Sequence, residues 1–183
     1  MADVLLVYAS THGHTAKIAA HIAEGLRAEG VAEVNVRGAA DAGAIDPAAY
    51  DAVIVGGSLH AGHHQGELVD WVKSHRVALA DRPSAFFSVS LTAADDTDEA
   101  RDATQRCIDD FLVETGWTPA RSVAIAGALQ YREYSVFTRT LMRLMMRRGG
   151  HPTDTSQDYD YTDWDAVERF GREFATLVAQ TSR

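Results

Sequence analysis

Residues 4–15, VLLVYASTHGHT, constrain this chain more than any other stretch. The apolar run from Val4 to Val7 reads as a buried strand. It breaks into Ser10-Thr11-His12-Gly13-His14-Thr15, and Ala16 to Ile22 then takes up a helical rhythm. A strand that hands a hydroxyl- and glycine-bearing loop to a helix N-terminus builds an anion site. Free N–H groups and the positive end of the helix dipole converge there. The hydroxyls of Ser10, Thr11 and Thr15 add donors, and Gly13 lets the backbone come close. No Lys or Arg lies between residues 4 and 16. A phosphate bound here is therefore held by dipoles rather than by a countercharge, which suits a mononucleotide ending in a single phosphate. The loop lacks the Gly-Lys-Ser/Thr ending of a nucleoside-triphosphate loop and the Gly-x-Gly-x-x-Gly of dinucleotide binders. The plainer alternative is a strand-to-helix turn with Thr15 as its N-cap.

Apolar runs continue to alternate with helical patterns along the chain. Ile18, Ile22 and Leu26 recur every four residues up to Gly30, and Val31 to Val36 follows as a weaker strand. Asp51 to Val55 is a third strand, a helix is expected over 66–79, and Ser84 to Leu91 behind Pro83 is a fourth strand. An amphipathic helix spans 97–115, Arg121 to Ala126 is the fifth strand, and a last helix covers about 163–180, capped by Thr162 or Asp163. Five strands and five helices in alternation describe an α/β fold, a doubly wound five-stranded parallel sheet of flavodoxin type with strand order 2-1-3-4-5. The chain, residues 1–183, reads as one domain, with an insert over 129–161 too long to be an idle connection. The ligand of such a sheet lies outside the carboxyl ends of its strands, where loops 10–15, 56–64 and 90–96 emerge.

Composition narrows the class. A 46% hydrophobic content supports a sizeable core, and no apolar stretch reaches the roughly 18 residues of a membrane span. The start carries no signal-peptide pattern. The single cysteine, Cys107, excludes an internal disulfide and any cysteine metal cluster. It fits a reducing cytoplasm and, lying on a helical stripe with Ala103, Ile108 and Phe111, reads as a buried structural thiol. A net charge of −9 argues against a nucleic-acid binder.

The second loop, Gly56-Gly57-Ser58-Leu59-His60-Ala61-Gly62-His63-His64, would line one side of a pocket, its glycines letting backbone amides approach a flat heterocycle. Ser90-Leu91-Thr92 offers a hydroxyl and an apolar contact on the other side. His60, His63 and His64 near Glu67 invite a metal reading, but no helix sets them on one face and we expect no metal. His12 and His14 either donate to a phosphate or face solvent. No aromatic sandwich for a ring is evident, which suits a substrate-oxidising enzyme better than a pure electron carrier.

Within the insert, 134–148 (YSVFTRTLMRLMMRR) reads as a helix stopped by Gly149-Gly150. Arg139, Arg143 and Arg147 form a cationic stripe, while Phe137, Leu141, Leu144 and Met145 form an apolar face. Each large side chain buried is worth roughly 1.5–3 kcal/mol and each arginine near an anionic surface about 1 kcal/mol. The pattern suffices for reversible interfacial binding. It also fits an ordinary packed helix, or arginines gripping the carboxylates of an anionic substrate.

From Leu5 to the final helix the sequence resembles the flavodoxin-like, menaquinone-dependent protoporphyrinogen IX dehydrogenases (protoporphyrinogen oxidases) of haem biosynthesis. The stretches that carry the likeness are Pro83-Ser84-Ala85-Phe86-Phe87-Ser88-Val89, Ala126-Gly127-Ala128-Leu129-Gln130-Tyr131, and the Met- and Arg-rich insert through Gly149-Gly150. Thr153-Asp154-Thr155 and Tyr161-Thr162-Asp163-Trp164 complete it. The resemblance implies FMN as cofactor, oxidation of a porphyrinogen by successive two-electron steps, and a membrane quinone as acceptor. It implies a cytoplasmic protein peripheral to the inner face of the cell membrane. By position, Ser10, Thr11, His12, Gly13, His14 and Thr15 would hold the FMN phosphate. Ser58, Leu59, His60, Ala61 and Gly62 would flank the ring, with Ser90, Leu91, Thr92 and Ala93 opposite. Arg132, Phe137, Arg139, Leu141, Arg143 and Arg147 would meet substrate, membrane or both. His60 and Ala61 stand where the family leads one to expect a longer cation and an aromatic. No residue stands out as an obligate acid or base. The competing assignment is a flavodoxin-like FMN protein that passes electrons between protein partners.

Overall fold

A computed structural model describes residues 2–31, 33–129 and 154–181. Strand β1 (Asp3–Ala9) is an interior strand of the sheet, and Val4 to Val7 are fully buried. A strand covered on both faces has no polar side to alternate with, hence its continuous apolar run. Parallel pairing gives the order β2 (Glu33–Gly38), β1, β3 (Ala52–His60), β5 (Ser84–Ser90), β6 (Arg121–Ala126). Taken as the five long strands in chain order this is 2-1-3-4-5, as the sequence leads one to expect. The chain moves outward on one side of β1 and then returns to its other side at β3, so the switch point lies between these two strands.

Helices α1 (His14–Ala28) and α4 (Trp164–Thr181) cover one face, burying Ile18, Ile22, Leu26, Phe170 and Phe174 against Leu6, Ile54 and Phe87. On the other face, α2 (Gly66–Ala80) and α3 (Asp98–Thr115) bury Leu68, Trp71, Ile108 and Phe111 against Leu5, Val55 and Phe86. The Phe86 and Phe111 rings stack at 4.4 Å. Alternate residues of β5 thus serve opposite cores, as the two-residue strand period requires.

Two expectations need correction. Alternation is broken between β2 and β3, where two 3-10 turns, Ala39–Asp41 and Pro47–Ala49, replace a helix. The segment is pinned by hydrogen bonds instead. Asp46 caps Ala48 N–H at 2.9 Å, and Arg82 Nη1 donates to Pro47 O and Tyr50 O at 2.6 and 2.8 Å. Four α-helices result among the described residues. Second, the strand at Asp51 to Val55 does not end in a glycine loop: β3 runs on to His60, and β4 (His63–His64) pairs back on it antiparallel. Of the two caps the sequence offers for α4, Asp163 is the one used, accepting from Ala166 N–H at 3.0 Å.

Beyond β6, strands β7 (Ala128–Leu129) and β8 (Tyr159–Asp160) pair antiparallel, so the chain leaves for the insert and returns from it at one place. The helix expected over 134–148, with Arg132, Phe137, Arg139, Leu141, Arg143 and Arg147, lies outside the described residues. No helix among the described residues is long and apolar enough to cross a membrane.

Candidate functional site

At the carboxyl ends of the strands lies a cleft of about 390 Å³. The first of its walls is the loop after β1. Gly13 is the N-cap of α1 in a left-handed conformation (φ +80°), with nothing within 4 Å of where a Cβ would sit. Its N–H is taken by Ser10 Oγ at 3.0 Å. No side chain caps the helix, and the first intrahelical bond is Lys17 N–H to Gly13 O at 3.2 Å. The amides of His14, Thr15 and Ala16 consequently have no acceptor within the helix. Thr15 lies one position inside the helix and is not the N-cap.

The second wall is the β3–β4 hairpin. Ala61 (φ +50°) and Gly62 (φ +83°) both take positive φ in its two-residue turn, as a type I′ turn demands. Gly62 bears this without strain; Ala61, at the cleft rim, does not. Ser58, Leu59, His60, Ala61 and Gly62 all line the cleft. Gly56 and Gly57 do not. They are buried in β3, where a Cβ on Gly56 would overlap the Phe87 ring, so their smallness serves the core rather than a ligand.

Loop and hairpin are joined by polar contacts. Thr11 Oγ1 and His60 Nε2 lie 2.7 Å apart, and Gln65 Nε2 donates to Ser58 Oγ at 2.7 Å and to Thr11 Oγ1 at 3.5 Å. The His12 and His60 rings meet edge-on at 6.3 Å. Burial, then the neighbouring His12, pushes the His60 pKa down, so His60 is neutral at pH 7. The metal-like trio diverges: His60 faces Thr11, while His64 turns inward to Ser88 Oγ at 2.9 Å, between Phe86 and Phe111.

The third wall comes from β5 and its loop. Ser90, Leu91 and Thr92 line the cleft, and Ser90 Oγ accepts from Ala93 N–H at 3.2 Å. Of the residues singled out from sequence, the cleft lining includes Ser10, His12, His14 and Thr15 from the first loop and all five from the second. It does not include Thr11, Gly13 or Ala93, which hold the loops in shape. Sequence reasoning missed Val89, Ala103, Thr104, Cys107, Gly127 and Ala128, which also line it. Cys107 is therefore not a buried structural thiol but half-buried and open to the cleft. Its place on α3, between the core stripe and solvent, was readable; the nearness of α3 to the strand ends was not.

His14 neither faces solvent nor offers Nε2 to the cleft. It is buried, with Nε2 2.7 Å from Thr162 Oγ1 and 3.6 Å from Asp160 Oδ1, and the Trp164 ring edge-on at 5.9 Å. Thr162 gives its one hydroxyl hydrogen to Ala126 O at 2.8 Å. His14 must then donate, which fixes the Nε2–H tautomer. Burial lowers its pKa, Asp160 works against the shift and Lys17 adds to it.

Among the described residues, no Asp, Glu, Lys or Arg lines the cleft. Its donors are amides and hydroxyls, its histidines 14 and 60 are held toward the neutral form, and one flank is apolar.

A flavodoxin-domain family model matches residues 5–156. The chain is 37% identical over 173 residues to a protoporphyrinogen IX dehydrogenase (quinone) of Leishmania major, covering 94% of this chain and 74% of that protein. It is 34% identical over 174 residues to the protein of that name from Escherichia coli K12, covering 95% of each. Among solved structures, a short-chain flavodoxin associated with a non-canonical PDU bacterial microcompartment superposes with a TM-score of 0.63 at 16% identity, covering 97% of this chain and 99% of that one. The last likeness speaks for the fold, the first two for kinship. The chain belongs to the flavodoxin-domain family, alongside the protoporphyrinogen IX dehydrogenases (quinone).

Proposed function

We propose that this protein binds FMN in the cleft and oxidises protoporphyrinogen IX to protoporphyrin IX, with a membrane quinone such as menaquinone as electron acceptor, in haem biosynthesis. The observation that carries the reading is identity of 34–37% over about 95% of the chain to two proteins of that named activity. The residues present fit FMN. A phosphate needs converging donors, and three amides at the start of α1 lie beside the Ser10 and Thr15 hydroxyls with no side-chain cap in the way. A cleft of about 390 Å³ whose described lining is uncharged and includes Leu59 and Leu91 suits a flat, mostly apolar ring.

FMN, when bound, supplies the two-electron chemistry; the chain supplies position. Ser10, Thr15 and the α1 amides hold the phosphate end. Ser58 to Gly62 and Ser90 to Thr92 flank the ring, and the Thr11–His60–Gln65 contacts fix the spacing between phosphate loop and hairpin. Holding reactants at a fixed distance is sufficient for a substrate with labile N–H and C–H bonds. Of the described residues that line the cleft, His12 and His60 at its mouth carry the imidazoles available to take a proton released from the substrate. The quinone's home is the bilayer, so the protein works at its surface, the Arg- and Met-rich insert sequence providing the contact.

Purified protein is expected to be yellow. Under anaerobic conditions it should convert protoporphyrinogen IX to fluorescent porphyrin only when a quinone is supplied, and should sediment with anionic vesicles. A yellow protein that leaves protoporphyrinogen untouched overturns the substrate and spares the fold. A protein that stays colourless with FMN overturns the whole reading.

A further inference from the structure

His14 lines the cleft as the first residue of α1, and its two ring nitrogens have different surroundings. The side chain is only 9% exposed. Nε2 carries the hydrogen and donates it to Thr162 Oγ1 at 2.7 Å, because that hydroxyl has given its own to Ala126 O. Nδ1 is then the acceptor nitrogen, and no described residue donates to it. Nor is it sealed in the core, which leaves it open to a ligand of the cleft that His14 lines. Covalent geometry keeps Nδ1 on the main-chain side of the ring, nearer than Nε2 to the amide that opens α1. A helix start suited to an anion thus carries, in its first residue, a buried nitrogen with no partner among the described residues.

From this we infer that His14 takes up a proton from solvent at Nδ1 when the FMN phosphate binds, and that the resulting charge makes the site select FMN over unphosphorylated riboflavin. The inference deepens the proposed function and rests on its reading of the cofactor. In the unloaded protein, burial lowers the His14 pKa, Asp160 opposes the shift and Lys17, one turn along α1, adds to it. The remaining neighbours are the neutral Thr162 and the Trp164 ring, beyond which His21 pairs with Glu24. A phosphate monoester carries close to two negative charges at pH 7. An opposite charge within about 4–6 Å favours the charged form of a histidine, and here it outweighs the burial. Because the proton lands on Nδ1, the Nε2–H bond to Thr162 is kept in both states and nothing in the fold has to move. Asp160, 3.6 Å from Nε2, then faces a full positive charge. A charge-assisted hydrogen bond from Nδ1 is stronger than a neutral one, and riboflavin has no phosphate to receive it.

Titration calorimetry of the flavin-free protein with FMN, in buffers of different ionisation enthalpy, should show about one proton taken up per FMN at pH 7. FMN should bind about tenfold more tightly at pH 7 than at pH 9. The phosphate stays dianionic across that window, its second pKa being about 6. Riboflavin should bind with no proton uptake and no such pH dependence, a comparison that needs no variant. His14→Gln puts an amide N–H where Nε2–H stood, so it keeps a donor for Thr162 and has nothing to titrate. It should lose the proton uptake and bind FMN about tenfold more weakly at pH 7. Its affinity for riboflavin and its urea midpoint should match the wild type. FMN binding without proton uptake overturns the inference and leaves the cofactor reading intact. So does uptake that survives in His14→Gln, which would put the proton on His12, His60 or the phosphate itself. If His14 takes up the proton but protoporphyrinogen is left untouched, the substrate reading falls and this one stands. A protein that binds no FMN overturns both.

Discussion

Two side chains show how single residues set the limits of this site. His64 lies under the hairpin at 4.8 Å from the Phe111 ring, and burial pushes its pKa down to about 4, with Glu114 opposing the shift and His63 adding to it. Below its ordinary value of 6.5, the unfolded chain takes up a proton here that the folded protein refuses. The stability is thus fully present above about pH 6.5 and falls as the pH drops toward 4, by at most on the order of 3 kcal/mol. Urea denaturation at pH 7 and pH 4.5 should show this loss, and His64→Gln should flatten it. Gly56 sets a steric limit. A methyl group there would overlap the Phe87 ring, which is itself fully buried in the core. Gly56→Ala should cost about 2 kcal/mol or more by denaturant midpoint, as overpacking does. The sequence showed both residues but mistook their work. A glycine pair behind a strand looks like a ligand loop until the partner strand is known, and Phe87 lies 31 positions away.

At the scale of elements, what was legible followed from periodicity and what was not followed from distant neighbours. Val4 to Val7, Ser84 to Val89 and the α3 stripe announced themselves because burial on both faces or on one stripe leaves a local pattern. The β3–β4 hairpin left none. Its turn is Ala61-Gly62 rather than the Asn-Gly or Asp-Gly that marks such turns, and Ala61 must take an unfavourable positive φ to make it. The α1–α4 packing was equally hidden. A Cβ on Gly171 would lie 3.1 Å from Ile22 O, so the two helices meet with backbone against backbone. Gly171→Leu must either separate the helices or displace Ile22, whose side chain is fully buried. An expected loss of about 2–3 kcal/mol in thermal or urea denaturation checks it, and a variant as stable as the wild type would show that the crossing tolerates a gap. The candidate site divides the same way. The three loops at the strand ends were readable from the alternation of strand and helix, whereas the α3 flank required knowing how far the helix sits from them.

Over the whole molecule, the contact that ties early sequence to late is the His14–Thr162 pair, 148 positions apart. It joins the start of α1, whose amides form the proposed anion-binding end of the cleft, to the residues just after β8, through which the chain returns from the insert. Thr162 is the hinge pin: it accepts from His14, donates to Ala126 O at the end of β6, and its own N–H is held by Asp160 Oδ1 at 2.9 Å. Thr162→Val keeps shape and backbone bond but strands a buried N–H on His14 and leaves the Ala126 carbonyl without its hydroxyl donor. An unsatisfied buried polar group costs about 1–3 kcal/mol, and this one loosens the residue whose amide belongs to the proposed phosphate site. The variant should therefore unfold at lower urea concentration and also bind FMN about fivefold more weakly, equivalent to about 1 kcal/mol, by fluorescence titration. Thr162→Ser, which restores the hydroxyl, should recover both. If Thr162→Val loses stability yet binds FMN as the wild type does, the clasp holds the fold together without shaping the cleft, and the link between the insert's return and the phosphate loop is structural only.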